Sequence, residues 1–508
     1  MELFSRGKEK LAGTLVKLPI IKSVWRTIRF HRTINESLSH HHNELDPAES
    51  KNTSLPKDEK IEIQSIWITE MYPPSKIDAL VGSLKRLGWD KADGRLQRGN
   101  DLVDWIKKSR SLGNRNSWNN AGVVLRAGDN RFSYSDVRRA KLPEGIDYGY
   151  ISLRTVTSSL TLLTIQFVLK DFAAESLNEL FSRPYKTRVK FYPSRWRTRS
   201  ASYETVSGQK SDAIERQLGK IHSSLESWFG HNLPGYYSSL NDKTAFPIID
   251  LITSRTHKPP TKTVPQANHI DVLFYTHQEI WHGVDNKSLE FRLQFGYKDE
   301  SRGVLFGNYN KLTKGIGSYG GKNRAGLANA LHQTFDGTVA IWATHNLLIS
   351  YEMQLSQIRD KASLSIKHST SAIKDLSTVR QQYLSVATDA QAVGKSLNKL
   401  VKAKRFYKTD VLDFTPPFYM KEHWPNLAEM LRSQDEQRSE NLVSEENDVR
   451  EAVISSGNLS SAIANLRIQR SVFWLTIIIA VFTLVSIILT VRSNHDTRSI
   501  PTHGINNR

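Results

Sequence analysis

Residues 471–491, SVFWLTIIIAVFTLVSIILTV, carry no charge, and their only polar side chains are Ser and Thr. At ~1.5 Å per residue, a helix of this length reaches about the 30 Å of a bilayer's hydrocarbon core. Shorter apolar runs are ambiguous between a core helix and a span. This one predicts a transmembrane helix, and it makes the preceding chain the cargo of one anchor.

That cargo is basic. Lys and Arg number 70 against 51 Asp and Glu, giving a formal charge of +19 and a pI near 9.7. Such an excess favours contact with phosphates, whether of nucleic acid, nucleotides or anionic lipid heads. It is also usual on the cytoplasmic side of membrane proteins. Hydrophobic residues make up 39% and aromatics 9% of the 508 residues. This is enough to build cores in about two to four folding units and argues against a disordered chain. Cysteine is absent, which excludes disulfides, thiolate zinc sites and a cysteine nucleophile. Lys17 and Lys22 interrupt the N-terminal apolar residues, so they do not read as a secretory signal. The simplest expected topology is tail-anchored, with residues up to about 470 in the cytosol.

Residues 1–34 are expected to form a basic amphipathic segment, kinked at Pro19, and residues 35–60 a polar linker that includes His40, His41 and His42. An α+β head should occupy 61–322. IEIQSIWITEMY reads as its first strand, and a helix follows Pro73 and Pro74. A long hairpin is predicted over 147–170 with Thr157, Ser158 and Ser159 at its tip, and a helix over 211–230. HIDVLFYT and SLEFRLQFGYK read as strands, the latter with a strict period of two that predicts one wet face. A helical region should span 323–413. In it Leu376, Val379, Tyr383, Val386, Ala390, Val393, Leu397 and Leu400 follow heptad spacing. A Pro-rich turn at 414–425 then leads to a stalk helix over 426–470, the membrane helix at 471–491 and a tail at 492–508. The expected fold class is therefore α+β: a mainly antiparallel sheet with flanking helices, then a long helical hairpin or coiled-coil stalk entering one transmembrane helix.

Two stretches suggest an anionic ligand. The run RPYKTRVKFYPSRWRTRS places Arg183, Lys186, Arg188, Lys190, Arg195, Arg197 and Arg199 among aromatic residues, Trp196 included, with no acid between them. Cations interleaved with stacking rings suit single-stranded nucleic acid, phosphate ligands or lipid head groups. KGIGSYGGKNRAG aligns Gly315, Gly317 and Gly320 as G-x-G-x-x-G with Lys322 following, and a helix is expected from about Arg324. It departs from the P-loop pattern at Ile316 and Asn323. His277, Glu279 and His282 do not match the zinc-protease spacing, and Glu445 and Glu446 read as helix surface. Thr476, Thr483 and Thr490 recur every seventh position in the apolar run and could let membrane helices approach one another.

The plan of a soluble domain, long helices and a stalk helix entering the membrane resembles that of CorA-type magnesium channels. That family has two spans joined by a Gly-Met-Asn loop. Here no second span follows Val491 and the tripeptide does not occur, so the resemblance implies no pore of that kind. The sequence singles out no catalytic residue, cofactor or metal site, and leans away from an enzyme. The expected function is a membrane-tethered sensor or scaffold binding a phosphate-bearing ligand or a protein partner. The expected partners are membrane lipids, further copies of the chain through stalk and membrane helix, and an anionic ligand or nucleic acid. The alternatives are an oligomeric effector or channel that conducts or permeabilises, and a membrane-anchored nucleic-acid-binding or processing protein.

Overall fold

The computed structural model describes residues 19–91, 101–112, 116–132, 136–192, 200–240, 246–258, 268–274, 279–293, 301–314, 321–367, 372–408, 411–416 and 426–497. The chain divides into two compact units, Met1–Leu348 with Ala392–Ser439 and Ile349–Gln391 with Glu440–Arg508.

The first unit is built on a sheet. Its strands are β1 (Ile61–Tyr72), β2 (Ser117–Leu125), β3 (Val137–Arg139), β4 (Ile146–Thr157), β5 (Leu160–Leu169), β8 (Ile248–Ser254), β9 (Glu279–Gly283), β10 (Leu289–Leu293), β11 (Arg302–Asn308) and β12 (Phe414–Thr415). A separate hairpin pairs β6 (Arg188–Tyr192) with β7 (Ser200–Glu204). The large sheet runs β12-β9-β10-β11-β8-β1-β5-β4-β2-β3. It is mixed rather than antiparallel throughout, because β11 runs parallel to β8 and β3 parallel to β2. A parallel pair needs a long crossover. Residues 255–301, which contain the β9–β10 pairing, supply it for β8 and β11.

β1 lies at the centre, buried on both faces, and its polar residues Gln64, Ser65, Thr69 and Glu70 are buried along with its apolar ones. The β4–β5 pairing is the predicted hairpin, turning at Ser158 and Ser159. One sheet face carries the Val206–Asn232 helix, with Trp228 and Phe229 against Phe167 of β5 at ring-centroid distances of 5.4 and 6.2 Å. The opposite face carries the first part of the Arg324–Lys367 helix. Phe335 packs edge-on against Trp67 of β1 and Phe291 of β10 at 5.4 and 5.6 Å. Farther along the sheet, His332 stacks on Tyr150, and buried Asp336 takes the Ser152 hydroxyl at 2.5 Å and the Arg154 guanidinium at 3.1 Å. The Tyr407 hydroxyl and His345 Nδ1 both donate to buried Asp435, each at 2.6 Å.

Three local expectations give way to tertiary context. Residues 35–52 are helical: Pro19–His40 runs through a π-helical turn at His41–Leu45 into Asp46–Asn52. Two carboxylates dock this segment. Asp46 accepts from the Thr187 amide at 2.8 Å, and Glu49 accepts from the amides of Val206 and Ser207 at 3.3 and 3.1 Å. Glu49 thereby meets unsatisfied N–H groups where the Val206–Asn232 helix begins. HIDVLFYT yields a helix, Asn268–Leu273, and residues 275–278 lie outside the described set. A short apolar run does not distinguish helix from strand by periodicity. β10 has no wet face, because Glu290 and Arg292 are buried beside each other and neutralise one another.

In the second unit, the Ala372–Lys402 helix buries Val379, Tyr383 and Ala390 at expected seam positions. Glu446 is not surface as its sequence context suggests. It is buried, accepting from the Tyr383 hydroxyl at 2.7 Å and the Gln391 amide at 3.2 Å. Arg359 reaches Glu445 at 3.2 Å. The Leu427–Thr497 helix carries the apolar segment Ile468–Thr490, long and apolar enough to cross a membrane, with none of it buried against protein.

Candidate functional site

On the face covered by the Val206–Asn232 helix, strand register lines up an unusual polar file. Asp250 of β8 lies across from Val304 of β11, which lies across from Arg292 of β10. Glu290 and His282 follow on β10 and β9. Asp250, Glu290 and Arg292 are buried, so each must be neutralised or hydrogen-bonded. Glu290 accepts from His257 Nε2 at 3.1 Å and from Arg292 Nε at 2.9 Å. The Arg292 guanidinium lies over the Phe274 ring, 4.1 Å from its centroid. Burial pushes the Glu290 carboxyl up, but Arg292 and His257 outweigh it and hold it below the ordinary range. Glu59 behaves alike: burial is overcome by bonds from Thr256, Ser254 and the Arg255 and Lys60 amides. The Asn308 amide donates to the Arg255 and His257 carbonyls at 2.9 and 3.0 Å, closing the turn after β8.

Beside this network is a cavity of about 170 Å³. Asp250, Ile252, Arg302 and Val304 form its floor, and Val272, Leu273 and Phe274 one wall. Ser211, Ile214, Leu218 and His222 form the other, at helical spacing along one face. Exposed Asp212 and Glu215 belong to the same lining. Ser211 holds the two walls together by donating to the Val272 carbonyl at 2.7 Å.

Two groups at this cavity lack hydrogen-bond partners. His222 Nε2 lies 2.8 Å from Asp250 Oδ1. A carboxylate has no proton to give, so Nε2–H donates, and neutral imidazole keeps a lone pair on Nδ1. His222 is 1% exposed and its Nδ1 has no partner among the described residues. Arg302 Nε is likewise buried without a partner. An acceptor and a cationic donor thus stand unpaired around a largely apolar space. This arrangement suits binding. Ser211 donates to a carbonyl and is not poised as a nucleophile for the His–Asp pair.

The predicted site residues do not converge on it. Arg195, Trp196, Arg197 and Arg199 lie outside the described residues, as do Gly315, Gly317 and Gly320. Lys186 and Arg188 are exposed on the approach to and start of β6. Arg183 pairs with Glu179 at 2.6 Å and Lys190 with Glu204 at 2.8 Å, so acids flanking the run offset part of its charge. Lys322 is exposed, Asn323 caps the following helix through the Gly326 amide at 2.8 Å, and Arg324 pairs with Asp171 at 2.7 Å. An open groove of about 750 Å³ adjoins this helix start. Arg131 in its lining is paired with Asp129 and Asp147, and Arg324 with Asp171. His40, His41 and His42 diverge to Glu44, the Tyr203 ring and the Thr187 carbonyl. Glu279 and His282 sit on opposite faces of β9, and His277 is outside the described residues. Among the described residues no group of three or more His, Asp or Glu could hold a metal ion. Thr476, Thr483 and Thr490 each donate to the carbonyl four residues earlier, at 2.8, 2.9 and 2.8 Å.

Sequence reasoning missed His222, Asp250 and Arg302. One signal was present: Asp250 is the sole charge in the apolar strand PIIDLITS. A charge in a strand buried on both faces demands a partner. The partner lies 28 positions away and has no local pattern. No protein-family model matches the chain, and no curated protein is detectably similar to it.

Proposed function

We propose that this protein is a membrane-anchored, non-enzymatic sensor or scaffold. The segment Ile468–Thr490 holds it to the bilayer, the sheet unit lies in the cytosol and binds a small ligand or protein partner, and the long helices bring protomers together. The observation that carries the reading is the exposure of that segment. Phe482 is 69% exposed and Leu489 61%. Each large apolar side chain left in water forgoes roughly 1.5–3 kcal/mol of burial, so a long run of them calls for a lipid environment. Support also comes from the three threonines, whose hydroxyls are satisfied by their own helix.

The test is alkaline carbonate extraction of membranes from cells making the full chain. Wild type should remain in the pellet. Val481→Arg with Leu484→Arg should leave it, since each arginine near the bilayer centre opposes insertion by about 2.5–3.5 kcal/mol. Protease protection of intact membranes should show the sheet unit digested from the cytosolic side. Extraction of wild type by carbonate would defeat the anchor.

A further inference from the structure

We propose that the cavity between the Val206–Asn232 helix and strands β8 and β11 binds a small carboxylic acid with a short apolar body and a hydrogen-bond donor beside the carboxylate. Apolar α-amino acids and α-hydroxy acids share that chemistry.

The two unpaired groups define the polar ends. Arg302 has a buried Nε without a hydrogen-bond partner among the described residues. A guanidinium is the natural partner of a carboxylate. His222 Nδ1, an acceptor in the neutral imidazole whose Nε2–H faces Asp250, suits an O–H or N–H donor. Between them the walls are aliphatic: Ile214 and Leu218 on the helix, Val272 and Leu273 opposite. The volume of about 170 Å³ is below the ~300 Å³ at which pockets for drug-sized ligands begin. It limits the occupant to a molecule the size of one free amino acid. Asp212 and Glu215 on the same lining favour an ammonium as the donor.

The site gives the sensor reading a ligand class, yet it is tested separately from the anchor. Full-length protein in detergent is titrated calorimetrically with leucine, leucic acid, isocaproic acid and isoamylamine. Leucine or leucic acid should bind. Isocaproic acid lacks the donor and isoamylamine lacks the carboxylate, and each should bind roughly 10- to 100-fold more weakly. Preference for leucine over leucic acid would identify the amino acid, and the reverse the hydroxy acid. Arg302→Gln should weaken the carboxylates by a similar factor while leaving isoamylamine unchanged. Leu218→Trp, which fills the cavity, should abolish binding. If either variant fails to fold, the four-compound series on wild type decides alone. The proposal is overturned if folded wild type binds none of them at millimolar concentration, or binds all four equally. Intact binding in a protein that carbonate extracts would defeat the anchor and leave the site standing.

Discussion

Glu70 stands near the C-terminal end of β1 with no exposure to water. Its carboxyl accepts from the amides of Met71, Tyr237 and Ser238 at 2.9, 2.8 and 3.0 Å. Burial nevertheless dominates and pushes it up to about 7 from 4.5. The raised value means folding favours the protonated acid. The contribution is complete below pH 4.5 and is lost as pH rises through about 7. His269 and His332 work the other way: burial lowers both, so their contributions are lost as pH falls below 6.5. The clean readout is therefore wild type minus Glu70→Gln, whose amide does not titrate. Relative to the variant, wild type should lose on the order of 3 kcal/mol between those pH values, measured by denaturant melts. Parallel pH profiles would refute this. Glu59 and Glu290, both held low, act only at the acid end, where their stabilisation disappears as pH falls through their folded values. The identity of these residues was plain in the sequence, but their titration was not. It depends on which distant groups reach them.

At the scale of elements, β2 turns on one glycine. Its register shifts between Asn120 and Gly122, and Gly122 adopts φ +95°. A Cβ there would overlap the Asp136 carbonyl that accepts from the Val123 amide at 2.8 Å. Gly122→Ala should cost about 2 kcal/mol or more, seen as a lowered thermal midpoint. Gly219→Ala is the counterpart. That glycine is within the Val206–Asn232 helix, with nothing within 4 Å of an added Cβ. It should raise stability by ~0.4–1 kcal/mol. Opposite signs for two identical substitutions separate backbone strain from side-chain loss. Elements with a strong period were legible: β1 covers the predicted strand, and the β4–β5 hairpin turns where expected. The helices at 35–52 and 268–273 were not, since their helicity is decided by docking through Asp46 and Glu49 and by burial of Ile270 and Leu273.

At the scale of the whole molecule, the membrane helix poses the question of assembly. Because Thr476, Thr483 and Thr490 are satisfied within one helix, they leave no hydroxyl demanding a neighbour. Replacing all three by Val should leave the molar mass of the detergent-solubilised chain unchanged, as measured by light scattering. A fall in mass would instead place the helix contact at that stripe.

By itself the sequence determined the apolar segment, the α+β class, the first strand of the sheet unit and the spacing of the helical seam. Each is a local pattern: a length of uncharged residues, a period of two, a period of seven. Tertiary structure alone decided that the sheet is mixed, that the charged side of β10 is interior, and that His222, Asp250 and Arg302 meet at one cavity. Those outcomes depend on which strands become neighbours across long crossovers. A buried charge is tolerated only where folding brings its partner to it.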